Sequence, residues 1–178
     1  MSPSSQCLYL VVSAAPPVLR IEEFITALHA GGWTVVMIAT PTATTWIDLN
    51  GLAARTGCLI RVHPRPPREQ DSLPQADAVV AAPMTFNSIN KWAAGISDTL
   101  ALSVLNEMIG TDVPIIAVPC VKSVLRKHPA YQESITRLTA IGVSMMKPDA
   151  VTTRADDGLA TFIWSEIISV LSALNSPT

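Results

Sequence analysis

The side chains best suited to chemistry gather in one stretch of the chain, residues 76–92. Thr85, Asn87, Ser88 and Asn90 bring hydroxyls and carboxamides together within a few residues. Such groups are neither strong acids nor metal ligands, and they suit hydrogen bonding to an extended or anionic ligand. Just before them, residues 78–82 form a run of small apolar residues, as in a strand buried on both faces. Pro83 ends the ladder because it has no N–H to donate. From Phe86 the pattern becomes helical, with Phe86, Ile89, Asn90 and Ala93 on one face. A strand therefore ends, a polar loop follows and a helix begins. In an open parallel sheet the carboxyl ends of the strands border the ligand crevice. A helix N-terminus there offers unpaired N–H groups to an anion or a hydrogen-bonding cofactor.

The remaining candidate residues also follow predicted strands. Ser13 follows the first. Thr40, Thr42, Thr44 and Thr45 follow the second, where they either bond a phosphate or cap a helix. His63 follows the third, at the base of a proline-rich basic loop running to residue 74. A lone histidine there is either a surface residue or a base that titrates near neutral pH. Cys120 and Lys122 follow the fifth. The cysteine is either packed and inert or a redox thiol. The lysine either holds a carboxylate as a point charge or is solvated. Arg126, Lys127 and His128 add positive charge, which suits an anionic substrate or an exposed turn.

The elements that must position these residues alternate along the chain. Strands are predicted at residues 7–12, 34–39, 58–62, 78–82, 113–118 and 143–146. Helices are predicted at residues 18–30, 43–56, from 86 onward, up to 109 with Ser97 or Asp98 as N-cap, and at 129–140 and 158–175. Residues 147–157 read as an exposed connection. Strand–helix repetition of this kind predicts an α/β fold with a mainly parallel sheet and helices on both faces.

The totals narrow the function. The chain has 178 residues, enough for one domain with a sizeable core. It is 49% apolar with a formal net charge of −2, which argues against a nucleic-acid binder and against disorder. No apolar run approaches the roughly 18–20 residues of a membrane helix. The N-terminus lacks a basic n-region, so no signal peptide is expected. The cysteines, Cys7, Cys58 and Cys120, lack metal-ligand spacing and read as free thiols in a reducing cytoplasm. The positive hydropathy suits an oligomer that buries part of its surface. There is no Gly-x-Gly-x-x-Gly, no Walker-type lysine loop and no zinc pattern.

Residues 83–91, Pro-Met-Thr-Phe-Asn-Ser-Ile-Asn-Lys, and residues 95–100, Gly-Ile-Ser-Asp-Thr-Leu, together resemble the homo-oligomeric flavin-containing cysteine decarboxylase family. That family carries Pro-Ala-Ser-Ala-Asn-Thr and Gly-Ile-x-Asp-Asn-Leu motifs. Pro83 and Asn87 match the first, while Thr85 and Ser88 keep hydroxyls; Gly95, Ile96, Asp98 and Leu100 match the second. The resemblance implies a flavodoxin-like, Rossmann-like three-layer sandwich in which residues 1–178 form a single FMN-binding domain. It implies a trimer or dodecamer acting in the cytoplasm on a small molecule or peptide, without nucleic acid or membrane. It implies that Pro83, Met84, Thr85, Asn87, Ser88, Ser97 and Asp98 belong to the cofactor site, with Ser13, Thr40 and Thr42 at the phosphate.

In the family's reaction a cysteine thiol is deprotonated and FMN oxidises it to a thioaldehyde, which loses carbon dioxide as a β-keto acid would. The resemblance makes His63 the general base and places Cys120 and Lys122 at the substrate. The family follows its fifth strand with Pro-x-Met-Asn-x-x-Met-Trp. Here residues 119–126 read Pro-Cys-Val-Lys-Ser-Val-Leu-Arg, with Lys122 in the asparagine position. The alternatives on the same scaffold are a flavin prenyltransferase and a non-catalytic regulatory flavoprotein subunit. An α/β domain with no flavin is the remaining alternative.

Overall fold

The computed structural model describes residues 6–69 and 72–175. Six strands form one parallel sheet in the order β3-β2-β1-β4-β5-β6. They are β1 (Gln6–Val12), β2 (Trp33–Ala39), β3 (Leu59–Arg61), β4 (Ala78–Met84), β5 (Ile115–Pro119) and β6 (Ser144–Met145). β1 lies between β2 and β4, with Val12 beside Ala39 and Val11 beside Ala81. The strand order therefore reverses between β1 and β4, the place where doubly wound sheets open a crevice.

Alternation along β1 divides the core into two layers. Leu8, Leu10 and Val12 face one side, packed with Phe24, Ile25 and Leu28 of α1 (Ile21–Ala30). Tyr9 and Val11 face the other, packed with Ile89 and Trp92 of α3 (Phe86–Ala93) and Leu105 of α4 (Leu100–Ile109). β4 is buried along its whole length, as the small and β-branched residues 78–82 predict, but it does not stop at Pro83: after a register shift Met84 pairs with Pro119. The architecture is the expected three-layer α/β sandwich.

Several boundaries depart from the sequence reading. Residues 43–56 are not one helix. A 3-10 turn spans Ala43–Thr45, and α2 (Leu49–Thr56) starts afresh. The Thr44 and Thr45 hydroxyls donate to the carbonyls of Pro41 and Thr42, and Asp48 caps α2 by accepting from the Gly51 N–H. The N-cap of α4 is Thr99, whose hydroxyl accepts from the Leu102 N–H, and not Ser97 or Asp98.

The largest departure is near the C-terminus. Residues 147–157 do not form a plain connection, and the final helix does not begin at 158. α5 (Ser123–Arg126) and α6 (Pro129–Ala140) precede β6. A short α7 (Pro148–Val151) then leads into β7 (Thr152–Arg154), which pairs antiparallel with β8 (Ala160–Phe162). α8 (Trp164–Leu174) follows. Gly158, at φ +80°, makes the turn, and Arg154 Nη1 donates to its carbonyl at 2.7 Å. Val151 and Phe162 are buried in the α1 layer of the core, so burial of these two apolar residues pins the hairpin in place.

Candidate functional site

The crevice at the β1/β4 reversal has two adjoining lobes. The first is a hydroxyl lobe of about 410 Å³. Ser13, Thr40, Thr42, Thr85, Asn87 and Ser88 line it, and Lys91, Asp98 and Thr99 complete it. The local sequence explains this concentration: each residue follows a parallel strand or opens the helix after it. Thr85 is the N-cap of α3, its hydroxyl accepting from the Ser88 N–H at 3.1 Å. Both Thr85 and Ser13 donate to the Ser88 hydroxyl oxygen, at 3.1 and 3.0 Å. Ser88 is thus a buried hub joining the ends of β1 and β4.

The second lobe is larger, about 720 Å³, and its walls are mostly apolar. Trp46, Phe86, Val121 and Leu125 line it, with Cys120 at the end of β5. Its charges are Lys122, Arg126 and Arg154 against one carboxylate, Asp149. Arg126 Nη1 pairs with Asp149 Oδ1 at 3.0 Å, while Arg126 Nε is buried with no hydrogen-bond partner. Burial raises the Cys120 thiol pKa above its ordinary value, so it stays protonated near neutral pH. Thr85 and Asn87 face both lobes and form their junction. The Asn87 side chain makes no hydrogen bond among the described residues.

The sequence-predicted site residues divide between several places. Ser13, Thr40, Thr42, Thr85, Asn87, Ser88 and Asp98 meet in the hydroxyl lobe, and Cys120 and Lys122 meet in the cationic lobe. Ser13 is nearly inaccessible, and its hydroxyl is engaged by Ser88 and by Met84 Sδ. Pro83 and Met84 are buried and support the crevice through Ser13, whose N–H donates to the Pro83 carbonyl at 2.9 Å. Ser97 lines neither lobe; its hydroxyl accepts from Asn106 Nδ2, tying its loop to α4. Asp98 is ion-paired with Lys91. His63 lines a separate cleft of about 380 Å³ with Tyr9, Arg61 and Glu107.

Sequence reasoning missed Trp46, Asp149 and Arg154. The sequence pattern puts Trp46 within a helix over 43–56, and Asp149 and Arg154 in an exposed connection. The one signal for Arg154 was the Asp-Gly pair at 157–158, a turn pair between the short segments 152–154 and 160–162.

Comparison with known proteins adds the family. The chain is 35% identical over 74 residues to the coenzyme A biosynthesis bifunctional protein CoaBC of Thermococcus kodakarensis. That match covers 42% of this chain and only 18% of the relative's length. Three solved structures share the fold. A PPC decarboxylase mutant complexed with pantothenoylaminoethenethiol has a TM-score of 0.76 at 16% identity, covering 96% of this chain and 98% of that one. The FMN-dependent cysteine decarboxylase SpaF gives 0.74 at 19%, covering 97% and 99%. An EpiD mutant complexed with the substrate peptide DSYTC gives 0.73 at 22%, covering 96% and 99%. The Flavoprotein family model matches residues 2–176, and the chain belongs to that family.

Proposed function

We propose that this protein binds FMN in the two-lobed crevice and catalyses oxidative decarboxylation of a cysteine carboxylate on a peptide or small natural-product precursor. One observation carries the reading: Thr85 and Asn87 border both lobes, so a ligand held among the hydroxyls touches whatever occupies the cationic lobe. The donor set fits FMN. The hydroxyl lobe offers neutral hydrogen-bonding groups at the start of a helix, and its one carboxylate, Asp98, is balanced by Lys91. Thr40 and Thr42 would hold the phosphate. Thr85, Asn87 and Ser88 would hold the polar edge of the ring or the ribityl chain, with Ser13 bracing Ser88 from beneath.

When bound, FMN supplies two-electron oxidation of the substrate thiol. The chain's own part is to orient and to move a proton. Asn87, with its uncommitted carboxamide, stands at the junction where the flavin edge would meet the substrate. Trp46, Phe86 and Leu125 exclude water from the cationic lobe. His63 is the general base for the thiol. It lines a different cleft of the same chain, so a second copy must present it, which ties the reaction to a homo-oligomer, a trimer or dodecamer of the single domain, in the cytoplasm.

The test begins with the visible spectrum of the purified protein: a sample that stays colourless after FMN is added overturns the proposal. With bound FMN, anaerobic incubation with C-terminal-cysteine peptides should bleach the flavin and release carbon dioxide. His63→Asn should keep the colour and lose turnover by about 10²–10⁴-fold. Mixing that variant with Asn87→Ala chains should restore part of the activity, because some mixed sites then carry both native residues. Unchanged turnover in His63→Asn removes the base assignment.

One observation favours a second reading, a flavin prenyltransferase-type enzyme. Three cations beside an apolar wall suit a prenyl phosphate. Consumption of dimethylallyl phosphate without carbon dioxide release would select it. Flavin colour with neither reaction would select a regulatory subunit.

A further inference from the structure

The cationic lobe does not close at Trp46. That indole, 44% exposed, is also a wall of a second hollow of about 230 Å³, lined by Val18 and Leu19 of the 3-10 segment Pro16–Arg20 and by Leu52 of α2. Leu19, 47% exposed, and Glu22 are walls in turn of a third hollow of about 610 Å³, which reaches Asp157 at the turn of the β7–β8 hairpin. Shared walls make the three hollows one track leading out of the crevice over the surface.

The track is apolar near the crevice and acidic beyond it. Leu19 and Trp46 keep nearly half of their surface in water, although Val18 and Leu52 beside them are buried. Covering that exposed carbon with an apolar group is favourable. Arg20 pairs with Glu23 at 2.9 Å and Arg55 with Glu22 at 2.8 Å, so these charges cancel. Asp157 forms no ion pair among the described residues; its Oδ1 only accepts from the Leu159 N–H at 3.0 Å. Asp48, the cap of α2, adds a second unbalanced carboxylate at the middle hollow.

A small-molecule substrate ends inside the crevice and leaves this track empty. A peptide joined to the reacting cysteine has to leave the crevice, and its extended chain sets side chains on alternate sides. We infer that the track is an exosite for the segment upstream of the reacting cysteine, with an apolar side chain against Leu19 and Trp46 and a basic one toward Asp157. This rests on the decarboxylase reading above, and it selects a peptide over a small-molecule precursor. Charge disfavours a second copy of this chain as the occupant, because a two-fold contact would set the acidic surface against itself.

The probes are octapeptides ending in cysteine, titrated calorimetrically into the FMN-loaded protein at low salt and then assayed for carbon dioxide release. One carries only glycine and serine upstream. In the others a leucine and, farther from the cysteine, a lysine are moved along the chain. At the matching register the leucine–lysine peptide should bind at least about tenfold more tightly than the glycine–serine peptide, with KM lowered and kcat nearly unchanged. Leu19→Ser should remove the leucine's share of that preference. Asp157→Asn keeps an acceptor for the Leu159 N–H and should remove the lysine's share together with its salt dependence. Neither variant should change the affinity for N-acetylcysteine.

Absence of the preference at every register overturns the inference. So does weaker N-acetylcysteine binding in Leu19→Ser, which would make Leu19 part of the framework of the crevice. A smaller oligomer on sedimentation of Leu19→Ser also overturns it and assigns the patch to a contact between copies. If the preference holds but no peptide releases carbon dioxide, the decarboxylase reading fails while the exosite stands. If all the peptides bind and release carbon dioxide equally well, the reading stands and the exosite fails.

Discussion

The two lobes of the crevice are built on opposite principles. In the hydroxyl lobe most polar side chains are tied to one another or to the backbone, and the Asn87 carboxamide is left open. Ser13, Thr85 and Ser88 form a closed set of hydrogen bonds, and Lys91 neutralises Asp98. In the cationic lobe the side chains are left incomplete: Arg126 has an orphaned Nε, and Lys122 projects from an exposed position. A pre-tied network gives a rigid cradle at little cost, because its donors are satisfied before a ligand arrives. An unfilled one gives selectivity, because the correct ligand relieves what the wrong one leaves bare. The first arrangement suits a permanent occupant and the second a transient one.

Three changes probe this contrast. The largest effect should come from the core that anchors α3. Trp92 of α3 is fully buried, and Trp92→Ala should cost about 3–5 kcal/mol in urea denaturation and abolish flavin retention with it. Flavin retention at wild-type affinity in that variant would show that the lobe does not depend on the packing of α3. Next is the hub itself. Ser88→Ala strips the shared acceptor from Ser13 and Thr85, and a loss of about 1–3 kcal/mol is expected, read from the urea midpoint at constant slope. A neutral result would mean that the two hydroxyls re-pair, and the rigid-cradle account would fail.

The smallest effect on stability should come from the cationic lobe. Lys122→Gln should change it by less than about 0.5 kcal/mol, since the residue is exposed and makes no ion pair among the described residues. A larger loss would place Lys122 in the framework and not among the ligand contacts.

The same contrast governs how far the sequence could be read. The hydroxyl lobe was legible because its residues sit within a few positions of strand ends that announce themselves by apolar runs. Ser13 follows β1, Thr40 follows β2 and Thr85 follows β4, so parallel pairing brings them together. The six strands were anticipated for the same reason, although β3 and β6 are shorter than expected because only part of each edge run finds a partner. The cationic lobe was half legible. Lys122 and Cys120 follow β5, but Arg154 reaches the crevice through an antiparallel hairpin whose strands are three residues each. Runs that short carry little periodicity, and the apolar residues 159–163 extend a helical pattern that begins in earnest only at Trp164. Trp46 was hidden differently. A 3-10 turn over Ala43–Thr45 and a fresh start at α2 break an apparently continuous helix, and the indole lies at the rim of the lobe. His63 was read at a strand end correctly, yet β3 is the sheet's edge strand, two positions from β1, which puts the imidazole in another cleft.

The β7–β8 hairpin is hydrogen-bonded as its own two-stranded sheet and shares no ladder with the six parallel strands. It carries Arg154 and Ala160 to the crevice while leaving the register of the strands that hold the hydroxyls untouched. Such a segment can be exchanged as a cassette. A lineage that keeps Val151 and Phe162 as anchors is free to vary the turn and its outward residues, and so to acquire new ligands without re-evolving the cradle. Diversification of this scaffold should therefore be concentrated in a dozen or so residues near the C-terminus, and transplanting them between relatives should transfer preference more readily than any exchange within the parallel sheet.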